Sequence, residues 1–197
     1  MDNFWDNRYS ETEYAYGETP NDFLKQQLPL LKPGKILCPA EGEGRNAVFA
    51  ATLGWEVTAF DPSTEGRKKA LSLSDKHNTK INYLIADYNT ANFEKEYFDC
   101  ICLTYAHMPA SIRNQVHNKL TTYLKLGGHI ILEGFTKNQI NKTSGGPKNI
   151  DFLFDKNELK EDFQTLSSIQ IQETDVALNE GPYHQGIASV IRLLGIK

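Results

Sequence analysis

No apolar run in this sequence approaches the roughly 20 residues that span a bilayer, and the first residues, acidic rather than basic, lack the apolar core of a signal peptide. Cysteine is scarce, with three in 197 residues. Cys38, Cys100 and Cys102 all lie in apolar, strand-like runs, none forms a C-x-x-C pair, and an odd count without disulfide spacing fits a reducing cytoplasm. Basic charge is also short. The formal net charge is −4, which argues against a nucleic-acid binder. No His/Cys/Asp/Glu spacing matches a metal site, no G-x-S-x-G elbow marks a serine nucleophile, and there is no internal repeat.

The length fits one domain, 1–197, with a core large enough to fold alone. Its front end is distinct. Asp2, Asp6, Glu11, Glu13, Glu18 and Asp22 face only Arg8, and Phe4, Trp5, Tyr9, Tyr14 and Tyr16 make the stretch too aromatic for a disordered tail. Residues 1–19 therefore read as an arm that packs on a core of 20–197, with Tyr14 and Tyr16 placed to close over a ligand as a lid.

The core alternates strand and helix. Strands are expected at 35–39, 55–60, 81–86, 98–104 and 129–133, with a sixth at 168–174 and a last at 185–194. Helices fall between them: one opened by Pro20-Asn21-Asp22, one from the glycine turn to about Leu53, one capped by Ser63, one starting at Pro109 and a short one capped by Asp155. The near-continuous apolar run at 98–104 suits a central parallel strand. The last strand follows the Gly181-Pro182 turn too closely for a parallel crossover, so it must run antiparallel. The expected fold is α/β and Rossmann-like: a mostly parallel seven-stranded sheet, helices on both faces, and an antiparallel C-terminal hairpin. Residues 137–150, with Ser144-Gly145-Gly146-Pro147, read as a loop near the site.

In such a sheet, ligands bind beyond the carboxyl ends of the parallel strands. That edge receives Ala40, Glu41, Gly42 and Gly44 from the first strand, Asp61 and Ser63 from the second, Asp87 and Tyr88 from the third, and Tyr105 and His107 from the fourth. Glu133 arrives from the fifth and His184 from the last. Gly42-x-Gly44-x-x-Ala47 fits the dinucleotide pattern, with Asp61 placed for the ribose hydroxyls and Asp87 for an exocyclic adenine amine. Glu41 and Glu43 are poor neighbours for a pyrophosphate and better ones for an ammonium group. The chain also leaves little room for the second half-sheet of a dehydrogenase. Adenosine joined to a cationic, amine-bearing tail is the better match, and S-adenosylmethionine (SAM) is such a molecule.

The runs Ala40-Glu41-Gly42-Glu43-Gly44-Arg45-Asn46, Asp61-Pro62-Ser63, Ala86-Asp87-Tyr88 and Leu126-Gly127-Gly128-His129 resemble the motifs of class I SAM-dependent methyltransferases over about residues 30–195. Trp5-Asp6-x-Arg8-Tyr9, Tyr14-x-Tyr16-Gly17, His107-Met108-Pro109, Glu133-Gly134-Phe135-Thr136 and Gly145-Gly146-Pro147 make the chain most similar to the small bacterial group related to tellurite-resistance and thiopurine methyltransferases. The resemblance implies that Gly42 and Gly44 lie under the methionine part of SAM, and that Glu41, Arg45 and Asn46 belong to its amino-acid end. It also implies that Asp61, Pro62 and Ser63 meet the ribose, Asp87 and the Tyr88 amide read adenine, and Tyr105 sits near the sulfonium. Many relatives carry an acid at Cys38 and glycine at Ala40, so Glu41 is expected to take over the absent acid's task.

For base or substrate positioning the order of expectation is His107, then His184, then Glu133, because a histidine pKa suits proton removal near neutrality. A compact domain with no large appended module implies a small acceptor, with a thiol or metalloid oxyanion in front, and S-adenosylhomocysteine as co-product. A protein methyltransferase and a non-catalytic SAM-binding module are the alternatives. The expected protein is a cytoplasmic monomer or homodimer with no nucleic-acid, membrane or metal partner.

Overall fold

A computed structural model describes residues 4–197; Met1–Asn3, including Asp2 of the acidic arm, lie outside the described residues. The seven strands are β1 (Lys35–Pro39), β2 (Glu56–Asp61), β3 (Asn82–Ile85), β4 (Phe98–Thr104), β5 (Leu124–Phe135), β6 (Ser168–Glu180) and β7 (His184–Ile196). They form one sheet in the order β3-β2-β1-β4-β5-β7-β6. Neighbours from β3 to β5 are parallel, whereas β7 is antiparallel to both β5 and β6. The chain direction reverses its march across the sheet between β1 and β4, which is where such folds open a ligand crevice.

The helices are α1 (Phe4–Tyr9), α2 (Asp22–Gln27), α3 (Arg45–Thr52), α4 (Thr64–Lys76), α5 (Ala110–Tyr123) and α6 (Lys156–Asp162). Strand alternation divides the core. Ile36, Cys38, Cys100 and Cys102 face the layer holding α2, α3 and α4, while Leu37, Ile101, Leu103 and Leu132 face α5 and α6. All three cysteines are buried free thiols on the first of these faces. No described helix is long and apolar enough to cross a membrane.

Three departures from the expected elements matter for the site. The aromatic arm contains a helix, α1, whose Asp6 carboxylate accepts from Ser63 Oγ at 2.6 Å and from the Glu65 amide at 3.2 Å, tying the arm to the start of α4. The loop after β5 holds two short 3-10 turns, at Lys137–Gln139 and Ile150–Phe152. Strands β6 and β7 are longer than the sequence pattern suggests, because they pair in full from Ser168↔Ile196 to Glu180↔His184. Pairing of β7 with β5 ends at Phe135↔Val190, so the hairpin tip continues past the sheet edge on β6–β7 pairing alone. That overhang carries Glu180 and His184 to the ligand side.

Candidate functional site

The turn after β1 is built for close approach. Ala40, Gly42 and Gly44 all have positive φ (50°, 59° and 87°). A Cβ on Gly44 would stand 2.8 Å from the Ala70 backbone, and one on Gly42 would stand 2.6 Å from the Tyr9 hydroxyl. Ala40 holds the left-handed conformation without being glycine, at a cost of about 1 kcal/mol.

Glu41 turns back on α3. Its Oε1 accepts from the amides of Asn46 (2.9 Å) and Ala47 (2.7 Å), occupying the helix N-terminus on which a dinucleotide fold would seat its pyrophosphate. Oε2 has no partner among the described residues. Burial pushes this carboxyl up to about 7 against those two amides and Arg45. Asp61, at the end of β2, accepts only two backbone N–H groups, from Ser63 (2.9 Å) and Gly42 (3.2 Å). Burial pushes it up to about 6. A buried carboxylate with two donors and no cation retains acceptor capacity for a diol. Ser63 caps α4 by accepting from the Gly66 amide, and Pro62 stands exposed between Asp61 and that cap.

Asp87 is exposed, and its Oδ1 accepts from Asn89, Thr90 and the Thr90 hydroxyl, which fixes the turn after β3. Its Oδ2 makes no hydrogen bond among the described residues. The Tyr88 ring packs edge-on to Phe60, and its hydroxyl is buried without a partner. The residues present therefore fit an adenosine with a cationic tail. Two underused carboxylates flank a glycine turn, a third acceptor lies at the next strand, and the helix N-terminus has no room for phosphate.

The arm arrives differently from expectation. Tyr14 donates its hydroxyl to Lys69 O at 3.1 Å and so docks on α4. The arm residue that meets the glycine turn is Tyr9, which the sequence reading placed in the arm without giving it the lid role. Glu43 holds the arm down, accepting from the Ala15 amide (2.8 Å) and from Lys69 Nζ (2.7 Å). Arg45 is likewise committed, donating to Tyr16 O, Thr19 O and Glu180 Oε2. Both side chains thus tie the arm and the hairpin to α3, whereas Arg45 was expected at the amino-acid end of a cofactor. Asn46 accepts from the Asn21 amide at 2.9 Å and also serves the arm junction.

Beyond β4 and β5 lies a buried polar network. Glu133, 2% exposed, accepts from Asn21 Nδ2 (2.6 Å), the Tyr105 hydroxyl (3.0 Å) and Arg192 Nε (2.6 Å). This fully paired carboxylate is a structural hub rather than a base. Tyr105 has φ of 51° and stacks on Phe135. Burial, then Glu133, raises its hydroxyl well above the usual range, so it is a neutral donor.

His107, expected first as base, is withdrawn by its geometry. Its Nε2 accepts from the Phe135 amide at 3.1 Å, its Nδ1 is 2.8 Å from Phe152 O, and its ring stacks on Phe154. An amide donor on Nε2 and a carbonyl on Nδ1 require the neutral Nδ1–H form. Burial lowers its pKa to about 4, and no lone pair remains for a substrate.

His184 differs. Its Nδ1 faces Glu180 Oε2 at 3.0 Å, and its Nε2 makes no hydrogen bond among the described residues. Nor is that nitrogen sealed like Nε2 of His117. Burial would raise Glu180, but the His184 hydrogen bond and the Arg45 guanidinium hold it down at about 2. Tyr16 and Tyr105 flank the ring at 4.4 and 4.6 Å between centroids. Glu180 and Arg192 escaped the sequence reading as functional residues, and Asn21 entered it only as a helix start and part of a family motif. One signal was present: a three-residue turn, Gly181-Pro182-Tyr183, sets the two residues that flank it opposite each other. Among the described residues no cluster of metal-ligating side chains occurs.

Known proteins share both fold and sequence with this chain. The probable S-adenosyl-L-methionine-dependent methyltransferase TehB of Haemophilus influenzae is 26% identical over 164 residues, covering 79% of this chain and 52% of the relative. The chain thus spans about half the length of the curated relatives it matches. The crystal structure of TehB from the same organism superimposes with a TM-score of 0.71 at 18% identity, over 100% of this chain and 66% of that one. A structure from work on conversion of a disulfide bond into a thioacetal group during echinomycin biosynthesis gives 0.76 at 17%, over 99% and 90%. A SAM-dependent methyltransferase from Thermotoga maritima, described as a possible histamine N-methyltransferase, gives 0.60 at 15%, over 88% and 86%. These structural likenesses establish the fold. The family model for tellurite resistance protein TehB matches residues 2–185, nearly the whole length, and so the chain belongs to the TehB family.

Proposed function

We propose that this protein is a SAM-dependent methyltransferase acting on a small-molecule acceptor, with a thiol or a metalloid oxyanion in front. The observation that carries the reading is Glu41 Oε1 on the α3 N-terminus beside the two-donor carboxylate of Asp61. This arrangement rejects a pyrophosphate and accepts a ribose diol and a cation. SAM, when bound, supplies an activated methyl carbon. Asp61 would hold the ribose hydroxyls, and Glu41 Oε2 would face the ammonium end in place of the acid that Cys38 cannot supply. Asp87 and the Tyr88 amide would bind adenine, and the neutral Tyr105 hydroxyl would border the transfer path. The arm, through Tyr9 over Gly42, would exclude water from that path. The three buried thiols suit work in the cytoplasm.

The test is thermal unfolding with SAM, S-adenosylhomocysteine and NAD. At about 100 times its Kd, a ligand of the folded state adds roughly 2.7 kcal/mol. Stabilisation by the first two and not by NAD is expected, and stabilisation by NAD alone would overturn the reading. Transfer to proteins but not to small acceptors would favour a protein methyltransferase; SAM binding with no transfer to any acceptor would favour a binding module.

A further inference from the structure

We propose that Lys119 of α5 is a positioning residue for the nucleoside. It clamps the turn after β3 in the shape that offers Asp87 Oδ2 and the Tyr88 N–H to a base, and so makes the site selective for adenine over hypoxanthine. This rests on the methyl-transfer reading and deepens it.

Residues 87–91 close a single α-turn, in which the Ala91 amide donates to Asp87 O at 2.8 Å. The Asp87 carboxylate caps it. Its Oδ1 accepts from the amides of Asn89 (2.9 Å) and Thr90 (2.8 Å) and from the Thr90 hydroxyl (2.8 Å). Thr90 Oγ1 accepts in return from the Asp87 amide at 2.9 Å. A trans peptide points its N–H opposite its C=O. With Asp87 O turned inward to Ala91, the Tyr88 N–H faces away from the turn. Among the described residues that N–H meets no acceptor, and Asp87 Oδ2 meets no donor.

So short a turn leaves its own carbonyls unpaired, as a helix end does. Lys119 meets them. Its Nζ donates to Tyr88 O at 2.9 Å and to Ala91 O at 2.7 Å, with Asn89 O further off at 3.4 Å. All of these acceptors are main-chain carbonyls, and none is a carboxylate. The half-buried lysine leaves α5 next to Leu120, which shares a core cluster with Ala91. Tyr88 O is thus drawn toward α5, and the same trans geometry turns the Asn89 N–H toward Asp87 Oδ1. The clamp decides which carboxylate oxygen is occupied and which stays free.

The free pair reads a base by polarity. Adenine offers a donor at its exocyclic amine and an acceptor at N1. Hypoxanthine reverses both, with a carbonyl oxygen in place of the amine and a hydrogen on N1. The Thr90 amide, then the Thr90 hydroxyl, hold the Asp87 carboxyl below the usual carboxylate range, so near neutrality it has no proton to give that oxygen. Hypoxanthine would set acceptor against acceptor and donor against donor, which costs more than a contact merely lost.

The experiment uses the full chain and calorimetry with S-adenosylhomocysteine and S-inosylhomocysteine. A wild type that binds neither sinks the methyltransferase reading and the proposal with it. A wild type that binds both equally, or prefers the inosyl ligand, sinks the proposal alone. A preference for the adenosyl ligand of about tenfold or more is expected. Lys119→Met keeps an apolar stem and removes the ammonium. It should weaken S-adenosylhomocysteine by about tenfold and change S-inosylhomocysteine by less than about threefold, which brings the ratio toward one. Equal weakening of both ligands, or an unchanged ratio, would overturn the assignment. Tyr123→Phe is the control: it removes a hydroxyl on the same helix that donates to Asn92 Oδ1 at 3.1 Å, just past the turn. Its ratio should match the wild type, and a fall as large as that of Lys119→Met would count against a particular role for Lys119. Lys119→Cys alkylated with 2-bromoethylamine restores an ammonium at nearly the lysine length, while the three native thiols are buried. The ratio should recover with it, and no recovery would refute the clamp. A readout without ligand is hydrogen exchange. The Ala91 amide should lose about tenfold or more of its protection in Lys119→Met while the α5 amides keep theirs, and unchanged protection at Ala91 would also refute the clamp.

Discussion

The two halves of one sheet edge hold their charges in opposite ways. Beyond β1–β3, the half-buried Glu41 and the buried Asp61 are carboxyls with backbone donors and no paired cation, and desolvation pushes both up. Beyond β4–β7, Glu133 and Glu180 are each bound to an arginine and to further donors. The first half is left with unmet acceptors, which on the proposed reading a ligand would complete. The second is complete except for one nitrogen. If the proposed roles hold, a binding half keeps unmet acceptors, whereas a reaction half keeps its groups immobile.

The largest effect should come from breaking the completed half. Glu133→Ala would strand the Arg192 guanidinium, the Asn21 amide and the Tyr105 hydroxyl together. We expect a loss of about 3–5 kcal/mol in denaturant unfolding, the usual consequence of removing one member of a buried ion pair. A loss under about 1 kcal/mol would mean that the network is not a strut. Next comes His107→Ala, expected to cost about 2–4 kcal/mol through its two backbone hydrogen bonds and the stacking on Phe154. A large loss of turnover with unchanged stability would instead return His107 to the chemistry.

His107 also shows what the sequence could and could not reveal. The glycine-turn half was legible as structure because its parts are local: a strand, Gly42 and Gly44, a helix start, and Asp61 at the next strand end all follow from short-range patterns. Ser63 as a cap, and β4 at 98–104, were legible for the same reason. At the β4–β7 half, meaning depends on distant partners. His107 and His184 look alike in sequence, and only Phe135 and Phe152 on one side and Glu180 on the other distinguish them. The extra length of β6 and β7 was hidden because β6 is an edge strand, whose polar run through Glu173 and Thr174 to Asp175 reads as the end of a strand at Thr174. Asn21 bridges Glu133 and Glu180 across 112 and 159 residues of chain, a link that no local spacing encodes.

The incomplete half predicts a pH signature of intermediate size. The carboxyls of Asp61 and Glu41 sit above their ordinary values of 3.8 and 4.5, so the ligand-free fold loses stability as pH rises through about 6 and about 7. A diol and an ammonium favour the ionised forms and remove that loss. SAM affinity should therefore rise between about pH 5 and pH 8, by about tenfold for each pKa unit that binding restores. Protons should be released on binding, seen by calorimetry in buffers of different ionisation enthalpy. Asp61→Asn should weaken binding and flatten the dependence through pH 6. An affinity independent of pH in the wild type would mean that the two carboxyls do not face the ligand.

The smallest effect tests how the arm divides its labour. Tyr9 stands over Gly42, whereas Tyr14 is turned to Lys69 O on α4, beside a Lys69 ammonium 5.0 Å from its ring. Tyr14→Phe removes one partly buried hydrogen bond and should cost about 0.5–1 kcal/mol. If Tyr14 is only a fastener, that loss appears in unfolding and SAM affinity changes by less than about twofold, since the ring still packs. Tyr9→Ala should then do the reverse, weakening SAM binding by more than Tyr14→Phe does, because it uncovers the glycine turn. A tenfold weakening with Tyr14→Phe would restore Tyr14 as the lid over the cofactor and make Tyr9 the fastener, exchanging the roles that the geometry gives them.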